Sequence, residues 1–475
     1  MTAGAPTAGW LRRPRTIHLI GVGGAGMSGL ARLALAAGHK VTGSDAAGSP
    51  TLDALRALGA DVWVGHDAAR LGRPELVAVS TAVRPANPEL VRARELQIPV
   101  VRRARLLALL MHGKSGIAVA GTHGKTTTTT MVTLILQAAG LAPSFAIGGD
   151  LLGRGVNAGT GTGPHFVAEA DESDGSFLEL DPAVAVVTNV EADHLDHYGT
   201  LDAVQAAFAE FAARLPADGT LVVCADDPGA SALAGVARCA VVPYSLRPPG
   251  SGTARARLVA LDVAAGGAGS AFTVCRDGRS LGRVELPQPG RHNVANALAA
   301  TAAALAAGAG FDAVQAGLAG YGGVARRFQR RGTAGGVTVV DDYAHHPTEL
   351  AATLAAARLG DWSRVVAVFQ PHLYSRTRAF AGAFGGALAA ADVAVVTDVY
   401  GAREDPVPGV SGRLVADAAR RARPGLDVRY VPERAGLAAA VAALARPGDV
   451  VLTLGAGDVT ALAGELLPLL GRRTR

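Results

Sequence analysis

Residues 117–130 read IAVAGTHGKTTTTT, a run that turns from apolar to glycine-rich to hydroxyl-bearing. Ile117–Ala120 has the composition of a buried strand, and a helix is expected to start at about Lys125. Between them, Gly121, Thr122, His123, Gly124, Lys125, Thr126 and Thr127 carry the chemistry of a phosphate loop. Glycines let backbone N–H groups close round a phosphate, the helix N-terminus adds positive potential, lysine reaches the outer phosphates, and a hydroxyl can bind magnesium. The common GxxxxGK[ST] spacing would need glycine at 119, where Val119 stands, so the match is to a shorter form, GTxGKTT. A Gly/Thr-rich helix cap without a ligand is the plainer reading, but strand, loop, lysine and threonines in that order favour ATP.

Downstream, a magnesium ion on ATP needs further oxygen ligands, and an α/β fold supplies them at strand C-termini facing the loop. The expected strand His165–Ala170 carries Glu169 near its end, followed by Asp171, Glu172 and Asp174 in EADESD. Glu169 is the first choice of ligand, with Thr126, and Glu172 the second. The next strand, Ala183–Asn189, leads into VEADHLD and offers His194 to a second ion. Acidic clusters are usually solvated faces and single histidines usually structural. Placement at two consecutive strand ends beside a phosphate loop favours metal, Mg2+ or Mn2+.

Upstream, the strand Thr16–Ile20 runs into GVGGAGMSG, with Gly21, Gly23, Gly24, Ala25, Gly26, Met27 and Ser28, and Asp45 follows the next strand. Together they satisfy the dinucleotide fingerprint, glycines for close backbone approach to a diphosphate and an acid about 20 residues on. The motif reports a diphosphate, not its bearer: NAD(H) and a UDP-sugar both fit.

The alternation of short β-branched runs with Ala/Leu-rich helices continues almost throughout, which implies an α/β fold of parallel sheets covered by helices. The segment Val101–Lys114 reads as helical and basic, Leu201–Leu215 as a helix, Thr220–Pro289 as more β-like, and a new α/β series starts at Gly336. Boundaries near Gly113 and Arg331 divide the chain into residues 1–113, 114–331 and 332–475. With 475 residues, 49% hydrophobic and 18% charged, the chain can bury sizeable cores and is not disordered. A net charge of +5 over that length leaves no dense basic tract for nucleic acid. Cys224, Cys239 and Cys275 are too scattered for a disulfide framework or zinc site and read as reduced core thiols. The N-terminal residues lack a secretory apolar core, and 294–310, mostly alanine, is too weakly hydrophobic for a membrane span, so a cytoplasmic protein is expected.

Ten ordered segments then become specific together: GVGGAGMSG, GTHGKTTTT, EADESDGSF, NVEADHLDHY, GRHNVANALAA, GVARRFQRRG, DDYAHHPTE, FQPHLYSRTR, VYGAREDPVPGVSG and LGAGDV. Spread over residues 21–457, they resemble the Mur ligases, ATP-dependent amide-forming enzymes of peptidoglycan precursor synthesis. The resemblance implies three domains: an N-terminal Rossmann-like one holding a UDP-sugar, a central P-loop ATPase, and a C-terminal Rossmann-like one completing the ATP and amino-acid sites. Several later-acting members carry a carbamylated lysine after the histidine ligand. This chain has no lysine beyond Lys125, and in that it is similar to the branch that adds L-alanine to UDP-N-acetylmuramate. The neighbouring branch, which recycles a ready-made tripeptide, carries a cysteine and a bulky residue where this chain has Gly23-Gly24-Ala25-Gly26.

The resemblance further implies roles for matched positions. His292, Asn293 and Asn296 are similar to adenine-side contacts, against a reading as helix caps alone. Arg327 and Asp342 resemble residues closing over ATP, and His345, His346, Arg376 and Arg378 resemble groups receiving the amino acid, where arginine can grip a carboxylate. Sites shared between domains imply closure before chemistry. Two readings of another class stand beside this one: a nicotinamide-dependent oxidoreductase built on the first glycine loop, and a P-loop motor or switch that joins nothing.

Overall fold

The structure, a computed structural model, describes residues 6–472 apart from 8, 81, 154, 249–255 and 403. Three sheets organise it. The first comprises β1 (Thr16–Ile20), β2 (Lys40–Asp45), β3 (Asp61–Val64), β4 (Leu76–Val79) and β5 (Val100–Arg102), all parallel, in the order β3-β2-β1-β4-β5. The reversal of strand order beside β1 opens a crevice at the strands' C-terminal ends, which is where the first glycine loop lies. The stretch expected to be helical from Val101 instead begins as β5, since Val100 and Val101 are a β-branched pair; the helix is Arg103–Met111.

The second sheet comprises β6 (Ser115–Ala120), β7 (Ser144–Ala146), β8 (Ala158–Gly159), β9 (His165–Glu169), β10 (Val184–Val187), β11 (Thr220–Cys224), β12 (Ala240–Ser245), β13 (Leu258–Gly266), β14 (Gly269–Arg276) and β15 (Arg279–Leu286). Its order is β15-β14-β13-β12-β11-β10-β6-β9-β7-β8, with β6 parallel to both β9 and β10. Residues after those three strands therefore meet at one edge.

The third sheet comprises β16 (Gln329–Ala334), β17 (Val337–Asp342), β18 (Arg364–Phe369), β19 (Val393–Val396), β20 (Asp427–Tyr430) and β21 (Asp449–Leu454), in the order β16-β17-β21-β18-β19-β20. Only β16 is antiparallel to its neighbour, and it spans the boundary drawn near Arg331. Alternation along β18 sends Val365, Ala367 and Phe369 into one buried cluster and Val366 and Val368 into another. A strand covered on both faces must read as an unbroken apolar run, and this one does.

Backbone contacts divide the chain into two compact units: residues 1–261, 273–284 and 295–322 in one, 262–272, 285–294 and 323–475 in the other. Cys224 is buried, while Cys239 and Cys275 are only half-buried, so one of the three thiols belongs to a core. Among the described residues no helix is long and apolar enough to cross a membrane.

Candidate functional site

β6 ends at Ala120, the loop follows, and the helix Lys125–Ala138 begins at Lys125. Gly121 (φ +128°) and Gly124 (φ +82°) hold conformations that favour glycine, and their neighbours enforce the choice. A Cβ on Gly121 would lie 2.0 Å from Thr188 Oγ1, and one on Gly124 2.4 Å from Asn296 Oδ1. Residues just beyond β10 tie the loop down: Asn189 Oδ1 accepts from His123 N (2.8 Å), and the Thr188 hydroxyl donates to the His123 carbonyl (2.5 Å). The Thr122 hydroxyl accepts from Glu191 N at 2.9 Å. Asn296 is thus brought to the phosphate loop.

Lys125 Nζ donates to the carbonyls of Gly121 (2.7 Å) and Thr122 (3.1 Å) and to Glu172 Oε1 (2.9 Å). Burial works against its charge, but Glu172, Asp171 and Glu169 outweigh it and hold its pKa above the usual lysine range. Glu172, 1% exposed, has its carboxyl pushed up to about 7 by burial, against the pull of Lys125. Its Oε1 lies 3.6 Å from His194 Nε2, and its backbone carbonyl accepts the Tyr198 hydroxyl at 2.6 Å. His194 sits in the left-handed region (φ +54°) at the start of the short helix Leu195–Tyr198. Glu169, at the end of β9, accepts from Gly148 N at 2.8 Å. Carboxylate oxygens, a hydroxyl and an imidazole at three adjacent strand ends are donors that Mg2+ or Mn2+ accepts, so the residues fit a divalent cation.

At the first glycine loop, Gly21 and Val22 donate to the Ser44 carbonyl (2.8 and 3.0 Å), and Gly23 N donates to Asp45 Oδ2 (2.8 Å). Asp45 Oδ1 also accepts from Ala47 N (3.3 Å), so this acid shapes the loop with both oxygens. Gly24 caps the helix Ala25–Ala36, which buries Met27 and Ser28. A Cβ on Gly26 would meet the Arg103 guanidinium at 2.7 Å, and Arg103 in turn pairs with Asp171 at 2.8 Å. Asn157 Nδ2 donates to the Ala25 carbonyl at 2.5 Å. Sequence reading missed Arg103 and Asn157, because only tertiary packing carries them to the loop.

In the other unit, β17 ends at Asp342, whose carboxylate accepts from Phe328 N (2.7 Å) and Ala344 N (2.8 Å). Arg327 lies over the Tyr343 ring and 3.6 Å from Glu349. His345 contacts Glu349 Oε2 at 3.1 Å, and His346 caps the helix Pro347–Ala357 in a reciprocal box with Glu349. His292 is half-buried and faces the charges of Arg327 and Glu349, while Asn293 Nδ2 donates to the Pro289 carbonyl (2.8 Å) at its helix start. Arg376, buried, lies 3.3 Å from His372 Nδ1, and His372 stacks on Tyr400. Arg378, two positions on, is exposed and apart from this cluster. His372, Tyr400 and Glu349 are additions: they lie in the segments FQPHLYSRTR, VYGAREDPVPGVSG and DDYAHHPTE, but only the fold shows which side chains they meet.

Comparison with known proteins agrees along the chain. Residues 16–115 match the family described as "Mur ligase family, catalytic domain", 119–304 the "Mur ligase middle domain", and 326–457 the "Mur ligase, glutamate ligase domain". A UDP-N-acetylmuramate–L-alanine ligase of Kineococcus radiotolerans is 56% identical, with 99% of each chain covered. One from Mycobacterium tuberculosis is 50% identical over 96% of this chain and 95% of its own. Among solved structures, the UDP-N-acetylmuramate-alanine ligase MurC of Thermotoga maritima superposes with a TM-score of 0.81 at 30% identity, covering 97% of this chain and all of that one. A murein peptide ligase of Psychrobacter arcticus gives 0.73 at 27%, covering 96% and 99%. On its three sheets, its two glycine loops and these matches, the chain belongs to the Mur ligase family.

Proposed function

We propose that the chain joins L-alanine to the lactyl carboxylate of UDP-N-acetylmuramate, spending ATP through an acyl phosphate, in peptidoglycan precursor synthesis in the cytoplasm. The observation that carries the reading is identity of 50–56% over nearly the full length to ligases of that name, on a chain whose Lys125 is held at a phosphate loop. In this reading residues 1–113 hold the UDP-sugar through Gly21–Ser28 and Asp45, 114–331 hold ATP, and 332–475 complete the ATP and amino-acid sites.

A carboxylate does not condense with an amine in neutral water, because oxide is too poor a leaving group. Attack of the lactyl carboxylate on the γ-phosphorus releases ADP and leaves an acyl phosphate. The alanine amine then attacks the acyl carbon and phosphate departs. Lys125 and the N–H groups of residues 121–127 stabilise the charge spread over the phosphoryl oxygens. Thr126 and Glu169 would hold one divalent cation, Mg2+ or Mn2+, and His194 a second, supplying further positive charge there. His292, Asn293, Asn296, Arg327 and Asp342 bind the nucleotide. His345, His346 and Arg376 receive alanine, the guanidinium pairing with its carboxylate; Arg378 would act only from the exposed side of the same helix.

The test is release of ADP with each reactant left out in turn, and mass spectrometry of the product. Turnover should require the sugar and L-alanine together and yield one new amide. ADP formed without either would make the chain a plain ATPase; coupling of a tripeptide instead of alanine would place it in the recycling branch. Lys125→Ala should lower kcat by about 1000-fold or more with the circular dichroism spectrum retained.

A further inference from the structure

Beneath the first glycine loop lies a polar cluster that the proposed reaction does not use. Glu89, on the first turn of the helix Pro88–Glu95, is 0% exposed, as are His18 on β1 and Ser44 on β2. The Ser44 hydroxyl donates to Glu89 Oε2 and sits 2.8 Å from His66 Nδ1. His18 Nε2 is 3.4 Å from the same Glu89 oxygen, and its Nδ1 is 2.8 Å from Thr42 Oγ1. Asp67 N donates to Glu89 Oε1 at 3.1 Å. The Glu89 carboxyl is held below its ordinary pKa: burial opposes this, but His18, Ser44 and Asp67 N outweigh it.

The proton inventory fixes a tautomer. An ionised carboxylate only accepts, so Ser44 must give its one proton to Glu89 and can offer His66 nothing but a lone pair. His66 Nδ1 must therefore carry the hydrogen of that contact, so that in the uncharged form of the ring Nε2 is the bare acceptor. The arrangement holds the three residue types of a hydrolytic triad, but with serine in the middle, buried, its proton committed to the acid. It has no nucleophile. What it has is a rigidly presented acceptor: the His66 side chain is 23% exposed, and no protein group among the described residues engages Nε2.

The acceptor's position says what it meets. His66 follows β3, and Gly65 N donates to the Asp45 carbonyl at 2.8 Å, so His66 stands at the same C-terminal edge as the glycine loop and Asp45. A diphosphate on the helix start after β1 places a ribose towards the acid after β2. The strand order β3-β2-β1 continues that line, so the next strand end, β3, meets the base side of the nucleoside. We propose that His66 is a nucleoside-binding residue: its Nε2 accepts a hydrogen bond from the nucleoside of a uridine diphosphate, and Glu89 and Ser44 are positioning residues that set its tautomer. The inference rests on the UDP-sugar reading of this loop and adds the residue and atom that would read the nucleoside.

The experiment is calorimetric titration of the full chain with UDP and with UDP-N-acetylmuramate, comparing wild type, His66→Ala and His66→Gln. His66→Ala should weaken both ligands by the same factor, about five- to tenfold for one lost neutral hydrogen bond. His66→Gln, whose side-chain oxygen can accept from nearly the same place, should recover most of that. A purely structural role would lower the melting temperature without the equal loss on both ligands and without rescue by glutamine. Unchanged UDP affinity in His66→Ala, or a loss confined to UDP-N-acetylmuramate, overturns the proposal. Wild type that binds neither ligand overturns the UDP-sugar reading itself, so the two failures are distinguishable.

Discussion

His292 and Asp342 show how burial sets charge one side chain at a time. His292 has its pKa pushed down to about 4, first by burial and then by Arg327, with Glu349 pulling the other way. Asp342 is pushed up to about 6, again by burial, with Arg327 opposing. The signs differ in consequence. An unfolded histidine takes its proton near pH 6.5 and the folded His292 only near 4, so its contribution is intact above about 6.5 and is lost as pH falls towards 4. Asp342 disfavours the folded state at neutral pH and is relieved as pH falls through 6. The two slopes oppose each other, so the wild type alone does not reveal either, but a variant does. Between pH 7 and 5, wild type should lose about 2 kcal/mol more stability than His292→Asn, read from urea midpoints at each pH. Parallel pH profiles for the two proteins would mean that His292 titrates as an ordinary surface histidine.

The helix Lys125–Ala138 is the element where local preference and tertiary context diverge. Its threonines at 126–130 are poor helix formers, yet Thr128, Thr129, Thr130 and Thr133 are all 0% exposed inside it. Thr129, Thr130 and Thr133 solve the burial problem by donating to the carbonyl four residues back, each at 2.8 Å. The helix Phe311–Ala319 packs on it through Gly317, whose Cβ would lie 2.6 Å from Ile135 Cα. Thr128 is the exception, since its buried hydroxyl has no hydrogen-bond partner among the described residues. Thr128→Val deletes that unmet donor at nearly constant volume, so stability should rise by about 1 kcal/mol. A fall in the melting temperature would show that the hydroxyl is satisfied. This helix and its strand were legible from residues 117–130, because apolar run, glycines and lysine each have one physical meaning there. β7 and β8, three and two residues long, were not, because pairing of β7 to β9 and of β8 to β7, rather than any local pattern, makes them strands. The loop residues were legible for the same reason as the helix, while Asn189, Thr188 and Arg103 reach the loops only through sheet order. From the sequence Glu172 is a second-choice metal ligand; its contact with Lys125 is visible only once β6 and β9 are neighbours.

Across the whole molecule, composition turns a general reagent into a site-specific one. The sequence holds three lysines, Lys40, Lys114 and Lys125, against an otherwise arginine-borne positive charge. Their environments differ sharply. Lys40 is exposed at the start of β2. Lys114 Nζ donates to the carbonyls of Gly161 (2.7 Å) and Gly163 (2.8 Å), pinning the glycine-rich stretch before β9. Lys125 is half-buried and paired with the buried Glu172, with its pKa raised. Acylation needs the neutral amine and access, and arginine does not compete at neutral pH. Brief treatment at pH 8 with an acetylating reagent, read by peptide mass spectrometry, should modify Lys40 at least tenfold faster than Lys114 or Lys125. Glu172→Gln removes the carboxylate that holds the Lys125 proton, so labelling at 125 should rise in that variant while labelling at 114 stays as it was. Lys125 reacting as fast as Lys40 in the unaltered protein would mean that the ion pair with Glu172 does not persist in solution, and with it would go the picture of a lysine held in place at the phosphate loop.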